Sequence, residues 1–383
     1  MTRPLRIALA SDWYLPRLGG IELHLRDLAQ ALRHCGHEVH VVTATRGDDD
    51  GDTAVHRLDV ARLPGSGVAS SPLLLRRLRS VLSAGRFDVV HAHASVVSPV
   101  AYGALVAAHT LGIPAVVTFH SVLHASARAL RAADALVHWS RWPLLATAVS
   151  SRVAAQLRGA MPELPVELLP NGVDADAWRC DGGARADARV IRVVSAMRLH
   201  RKKRPASLLQ AIAAARDLAP DADVRLTIFG DGPERNALER LRDRLGLDGA
   251  VTLAGAQPRE ALRAAYASAH LFVLPTEREA FGIAALEARC AGLPVVAMRA
   301  SGVGDFLEHG RDALLADDDA ELAAHIARLA SSRTLRERLT PRRVDGHAFD
   351  WPSVSARHAS CYERVAASGV ASGTSRLSVR GRS

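Results

Sequence analysis

Residues 6 to 43 read RIALASDWYLPRLGGIELHLRDLAQALRHCGHEVHVVT, and this stretch decides the fold. Arg6-Ile7-Ala8-Leu9-Ala10 is a short apolar run, the pattern of a strand buried on both faces. A proline- and glycine-containing loop, residues 16 to 20, follows it. Ile21, Leu25, Leu28 and Leu32 then recur at helical spacing, with Glu22, Arg26, Asp27 and Arg33 on the opposite side. Gly36 closes this helix, and Val39-His40-Val41-Val42-Thr43 is the next strand. A strand, a helix and a second strand with no room for a hairpin imply parallel pairing with a right-handed crossover.

The alternation continues. Phe87-Asp88-Val89-Val90-His91 reads as a strand, residues 99 to 110 as a helix, and strands are expected over 115 to 118, 146 to 149 and 166 to 169. Residues 181 to 189 are polar and glycine-rich, and a second series follows: strands over 191 to 196, 224 to 230, 251 to 254, 271 to 275 and 294 to 297. Helices are expected over 205 to 218, 234 to 245, 259 to 268, 281 to 291 and 320 to 330. The expected organisation is an N-terminal Rossmann-like domain over residues 1–172, a linker over 173–189 and a second Rossmann-like domain over 190–345. A helix over 346–365 returns to the first domain, and a disordered tail occupies 366–383. Two doubly wound parallel sheets would face a central cleft with their carboxyl ends.

Bulk properties narrow the function. The 383 residues are 48% hydrophobic but only 4% aromatic, which suits Leu, Val and Ala packing in α/β layers. The formal charge of +9 is almost all arginine and scattered; Lys202 and Lys203 are the only lysines. Scattered charge without interleaved aromatics argues against a nucleic-acid module, and leaves attraction to an anionic membrane surface open. Cys35, Cys180, Cys290 and Cys361 have neither CxxC spacing nor a histidine partner, so no metal site is expected. The first residues lack an apolar segment long enough for a secretory signal, and a cytoplasmic protein is expected. Residues 96 to 119 contain no Asp, Glu, Lys or Arg and could span a bilayer by length, but Pro99, Gly103, His109 and Pro114 break them into a helix, a turn and a strand.

Four segments carry candidate chemistry. Glu279-Ala280-Phe281-Gly282-Ile283-Ala284-Ala285-Leu286-Glu287 sets two carboxylates around a helix start, placing them on nearly one face about two turns apart. The N–H groups of Phe281, Gly282 and Ile283 would be free to meet a hydroxyl or a phosphate. Glutamates at this spacing also occur on solvated helices. Arg198-Leu199-His200-Arg201-Lys202-Lys203-Arg204 follows the first strand of the second domain, where doubly wound folds hold anions, although it could also be a solvated turn. Pro16-Arg17-Leu18-Gly19-Gly20 resembles a phosphate loop without the full GxGxxG pattern. Thr118-Phe119-His120-Ser121 ends a buried strand on a histidine, and a lone histidine is more often structural than functional. The acidic runs at 48 to 50 and 317 to 319 read as solvated loops, and Phe229-Gly230-Asp231-Gly232 as a tight turn.

Taken together and in order, PRLGGIELHLRDLAQAL, FDVVHAHA, TFHS, LPNGVD, MRLHRKKRP, FGDGPER and EAFGIAALEARCAGLPVVA resemble family 4 of the GT-B glycosyltransferases from about residue 6 to 365. The resemblance implies a metal- and cofactor-free retaining enzyme that moves a hexosyl or N-acetylhexosaminyl group from a nucleoside diphosphate sugar. It implies that Gly19 and Gly20 approach the donor phosphates or the acceptor, that Arg198 and Lys203 bind the diphosphate, and that Glu287 holds the ribose. It also implies that Glu279 contacts the transferred sugar and that His120, across the cleft, lies near the reacting carbon; these two are the expected catalytic residues. Two departures stand out: Arg204 where the family usually has glycine, and Gly302-Val303-Gly304-Asp305 where it often has a glutamate.

The N-terminal half is also similar to the catalytic subunits that place N-acetylglucosamine on phosphatidylinositol. That points to a UDP-sugar and to a lipid-linked acceptor at the inner membrane face, with glycan and small-molecule acceptors open. Guanine would ask for a carboxylate against its N1–H and amino group, and Gly255-Ala256-Gln257-Pro258 offers none before Glu260, so UDP is favoured over GDP. The rival readings are a non-hydrolysing sugar-nucleotide epimerase of the same fold and, from another class, a nucleic-acid-binding protein.

Overall fold

The computed structural model describes residues 3–47, 54–63, 68–123, 126–180, 190–340 and 348–377. Most of the expected linker, residues 181–189, and the acidic run 48–50 lie outside the described residues. The chain divides into two units: Met1–Gly172 with His347–Ser383, and Val173–Gly346.

The first unit carries strands β1 (Arg6–Ser11), β2 (Glu38–Thr43), β3 (Ala54–Arg57), β4 (Val89–Ala94), β5 (Ala115–Phe119), β6 (Leu144–Ala148) and β7 (Val166–Leu168). They form one sheet in the order β3-β2-β1-β4-β5-β6-β7, and every neighbouring pair is parallel. The order reverses between β1 and β4, so the loops leaving these two strands diverge to opposite faces and open a crevice at their carboxyl ends. Ile7, Leu9, Val41 and Val89 pack with Leu25 and Leu28 of the helix Gly20–His34, the apolar stripe read from the sequence.

The second unit repeats the plan with β8 (Val190–Ala196), β9 (Asp223–Phe229), β10 (Val251–Gly255), β11 (Leu271–Leu274), β12 (Val295–Met298) and β13 (Ala313–Ala316). Their order is β10-β9-β8-β11-β12-β13, again all parallel, with the reversal between β8 and β11. The two α/β parallel sheets, each with a topological switch point, make this a GT-B fold built from two Rossmann-like halves.

Residues 96 to 119 form, as expected, the helix Pro99–Leu111 and the buried strand β5, and among the described residues no helix is long and apolar enough to cross a membrane. Two local expectations change. The helix expected from Phe281 starts at Ile283, because Gly282 is its N-cap with φ of 97°; a Cβ there would also stand 2.8 Å from Val303 Cγ1. The last helix, Trp351–Leu377, runs past residue 365, where its end was expected. Residues 366 to 368 are Ala, Ala and Ser, and no proline follows to stop it.

Candidate active site

In the second unit the chemistry gathers at the carboxyl ends of β8 and β11, the two strands flanking the switch point. The segment after β8 crosses Leu199 and a 3-10 turn, Arg201–Lys203, before the helix Pro205–Leu218. The segment after β11 runs from Pro275 through Glu279 to Gly282. These loops meet: Lys203 Nζ lies 2.6 Å from Glu279 Oε2, and Thr276 Oγ1 donates to the Lys203 carbonyl at 3.1 Å. The residue expected on the diphosphate and the one expected on the sugar are thus neighbours.

Glu279 does not share a helical face with Glu287. It lies in the turn four residues before the helix Ile283–Cys290, so helical periodicity does not govern its direction. Gly302 of the variant turn donates its N–H to the Glu279 carbonyl at 2.9 Å. Gly302-Val303-Gly304-Asp305 therefore acts as a brace for Glu279. Phe281 is buried with its ring 5.2 Å from that of Phe306, which fixes the start of the helix. Among the described residues the N–H groups of Gly282, Ile283 and Ala284 have no acceptor, while Ala285 and Leu286 bond back to the Gly282 carbonyl. The donors expected at 281 to 283 thus shift one residue along.

Glu287 is buried on the helix, with Arg259 Nη2 3.9 Å from its Oε1. Burial, helped by the Glu287 charge, holds the Tyr266 phenol well above its ordinary pKa, so it stays protonated. Arg198 is exposed, and among the described residues its guanidinium has no hydrogen-bonding or ion-pair partner. Its backbone is held from behind. Met197 and Leu199 donate to the carbonyls of Phe229 and Asp231 at 2.9 and 3.0 Å, and Gly230, at φ of 124°, sits where a Cβ would strike the Met197 carbonyl oxygen. The turn at 229 to 232 thus has a job: it backs the Arg198 segment.

Arg204 explains its own departure from glycine. Its φ of 55° is the left-handed conformation that glycine adopts without strain. In compensation its guanidinium grips Asp319 through two bonds of 2.7 and 2.8 Å, Glu277 at 2.7 Å and the Pro275 carbonyl at 3.1 Å. One side chain ties the Lys203 loop to the loop leaving β11.

In the first unit His120 directly follows β5, and its N–H extends the ladder to the Ala94 carbonyl at 2.8 Å. It belongs to a buried group of imidazoles that sequence reading did not assemble. His93 Nδ1 is 2.9 Å from His120 Nε2; His91 Nδ1 is 2.7 Å from the Tyr362 hydroxyl and its Nε2 is 2.6 Å from Thr118 Oγ1. The His24 ring lies 5.6 Å from that of His120 and stacks on Trp351. Burial lowers the pKa of His120 to about 3 and that of His358 to about 4, and drives His91 and His93 well below the ordinary value. His91, His93, His120 and His358 are therefore neutral at physiological pH.

Gly19 caps the helix Gly20–His34 through its carbonyl, which accepts the Leu23 N–H at 3.1 Å, and Gly20 is exposed as the first helical residue. Glu22 in the first turn pairs with Arg17 at 3.2 Å, and Arg17 lies over the Trp13 ring at 3.7 Å. Buried Asp12, its pKa raised by burial to about 6, accepts N–H bonds from Val100 at 3.0 Å and Ala101 at 3.4 Å. That carboxyl ties the exit of β1 to the helix after β4, across the switch point.

Comparison with known proteins agrees with this architecture. The family model described as Glycosyltransferase Family 4 matches residues 18–177, and that described as Glycosyl transferases group 1 matches residues 182–343. The chain is 30% identical to the GDP-mannose-dependent alpha-mannosyltransferase of Mycolicibacterium smegmatis, over 94% of this chain and 98% of that one. It is 28% identical to a phosphatidylinositol N-acetylglucosaminyltransferase chain of Homo sapiens, over 96% of this chain and 78% of that one. Among solved structures, Anabaena HepE in complex with UDP and glucose superposes with a TM-score of 0.73 at 22% identity, covering 94% of this chain and 99% of that one.

Proposed function

Because the chain belongs to family 4 of the GT-B glycosyltransferases, we propose that it is a retaining enzyme that transfers a hexosyl or N-acetylhexosaminyl group from a nucleoside diphosphate sugar, UDP before GDP, to a lipid-linked acceptor. The observation that carries the reading is the meeting of Lys203 and Glu279 at the switch point of the second sheet. A diphosphate leaving group gains negative charge as the sugar bond breaks, and a fixed ammonium there stabilises it. The adjacent carboxylate orients sugar hydroxyls.

In the proposed reaction the acceptor oxygen bonds to the anomeric carbon on the face from which the phosphate departs. The bond from that carbon to the phosphate oxygen breaks, and its electron pair leaves with the nucleoside diphosphate. The acceptor proton passes to the departing phosphate oxygen. His120 is too weak a base, with a pKa of about 3, to take that proton at neutral pH. Its role is that of a neutral hydrogen-bonding group toward the sugar. Arg198, exposed and without a protein partner among the described residues, joins Lys203 on the diphosphate. Gly19 and Gly20 face donor phosphate or acceptor, Glu287 holds the ribose hydroxyls, and the N–H groups from Gly282 onward meet the donor.

The acceptor reading draws on the relatives that act on phosphatidylinositol, together with Val96 and Val97, which are 45% and 57% exposed in the loop after β4. Within the apolar stretch 96 to 102 these two are the exposed side chains, while Val100 and Ala101 are buried. Contact with the inner membrane face follows from this reading. The test is a transfer screen of UDP-N-acetylglucosamine, UDP-glucose and GDP-mannose against phosphatidylinositol vesicles and inositol 3-phosphate, with product anomers read by NMR. Acceptor-dependent nucleotide release with a retained anomer is expected. Conversion of a donor to its epimer without acceptor would instead establish an epimerase.

A further inference from the structure

Beside His120 lies a buried side chain with no place in the reaction as proposed. His93 is on β4, and its register partner on β5 is Thr118, two residues before His120. Its Nδ1 touches His120 Nε2 at 2.9 Å, with the rings 5.2 Å apart and inclined by 30°. Among the described residues its other nitrogen, Nε2, is buried without a hydrogen-bond partner.

The neighbouring ring has no nitrogen to spare. His91 Nδ1 lies 2.7 Å from the Tyr362 hydroxyl and its Nε2 2.6 Å from Thr118 Oγ1, and since a hydroxyl can donate or accept, both contacts are hydrogen bonds in either tautomer of His91. Although its ring lies only 4.0 Å from that of His93, it therefore takes no bond from it. Among the described residues His93 has one hydrogen-bonding partner, His120.

A neutral imidazole carries one N–H. With the proton on Nε2, His93 would bury an N–H with no acceptor, a rare and unfavourable arrangement. With it on Nδ1, His93 donates to His120 and leaves only a lone pair unmatched. His120 Nε2 is then the acceptor, and its own proton must be on Nδ1. We propose that His93 holds His120 in its Nδ1–H tautomer and thereby makes it a hydrogen-bond donor toward the sugar. The depressed pKa of both rings is consistent with this, since neither is an imidazolium at neutral pH. His93 is a positioning residue, and its value for catalysis rests on the reading of His120 above.

The test uses the full chain labelled with 15N at histidine, with His120 assigned by the loss of its signals in His120→Asn. The expected wild-type pattern is a protonated, pyrrole-type Nδ1 and a pyridine-type Nε2. His93→Phe should shift His120 toward the Nε2–H tautomer and lower kcat on the order of tenfold, with nucleotide affinity unchanged. His93→Asn, whose amide N–H can stand in for Nδ1–H, should restore both tautomer and turnover. A wild-type His120 protonated on Nε2 overturns the inference, and so does an unchanged tautomer in a folded His93→Phe. A tautomer that switches while turnover does not change supports His93 as the residue that sets it, and removes His120 from the catalytic residues.

Discussion

Lys203 and Glu279 stand 76 residues apart in sequence and 2.6 Å apart in space, on loops leaving adjacent parallel strands. The pair is one-third exposed on the lysine side and 16% on the glutamate side, so its direct contribution to stability is small. Its consequence lies in binding. Lys203→Ala should weaken UDP binding by about 1.5–3 kcal/mol, the size of a charge-assisted contact. Glu279→Gln should leave that affinity unchanged or tighter, since the lysine is released to the diphosphate. Calorimetric titration separates the two, and equal weakening in both variants would contradict the division of labour.

Arg198 differs from Lys203 in having no protein partner among the described residues. Arg198→Ala should therefore weaken nucleotide binding by a similar amount while leaving Tm of the free protein unchanged. A fall of several degrees in the free protein would show that the guanidinium has a structural task instead.

Arg204 tests the backbone argument. Both Arg204→Gly and Arg204→Ala lose the contacts to Asp319, Glu277 and the Pro275 carbonyl. Only glycine relieves the left-handed φ of 55°, so the glycine variant should be the more stable by about 1 kcal/mol. Urea unfolding of the pair decides it. An alanine variant of equal or greater stability would mean that the strain is not felt.

Acid should destabilise the first unit. His91, His93, His120 and His358 have pKa values lowered by burial, so below about 6.5, their ordinary value, the unfolded chain binds protons that the folded chain refuses. The stability these groups contribute is present above that value and is lost as pH falls toward about 4 for His358 and about 3 for His120. Each contributes a slope of up to about 1.4 kcal/mol per pH unit. Asp12, raised to about 6, acts in the opposite direction between its ordinary value and that pH, but it is one group against four. Urea midpoints should fall from pH 7 to pH 5, and a flat profile would show that the imidazoles are solvated.

If the acceptor is lipid-linked, the exposed Val96 and Val97 face the bilayer. Flotation with anionic vesicles at low salt should carry the protein, and replacing both valines by aspartate should abolish it. Flotation that is unaffected by these changes would place the contact elsewhere.

The strand and helix alternation was legible because parallel strands are continuous apolar runs and their helices have one apolar face. The edge strand β3, with no fully buried residue, left no such signal, whereas the helix Leu74–Gly85 carries one in Leu74, Leu78 and Leu82, buried four residues apart among arginines, and only the strand and loop pattern around it was too weak to place it. Lys203, Glu279 and Glu287 are singled out by motif and position. Glu279 was given a helical direction because sequence shows its spacing from Glu287 and not the left-handed cap at Gly282 that starts the helix after it. The imidazole group was missed for a different reason. His91 and His93 were visible at strand spacing, but a histidine on a buried strand reads as core, and the Tyr362 that orients His91 lies 271 residues away. Arg204 was noted only as a departure, since neither its φ nor its reach to Asp319 is written in local sequence.

The central claim is that His120 and Glu279 serve the transfer step rather than donor capture. With the donor and acceptor pair that the screen selects, kcat and nucleotide Kd are to be measured for wild type, Glu279→Gln and His120→Ala. Removing an interaction made mainly in the transition state lowers kcat and kcat/KM together, so both variants should keep nucleotide affinity and lose turnover by a factor on the order of a hundred. Wild-type turnover in both variants would contradict the account.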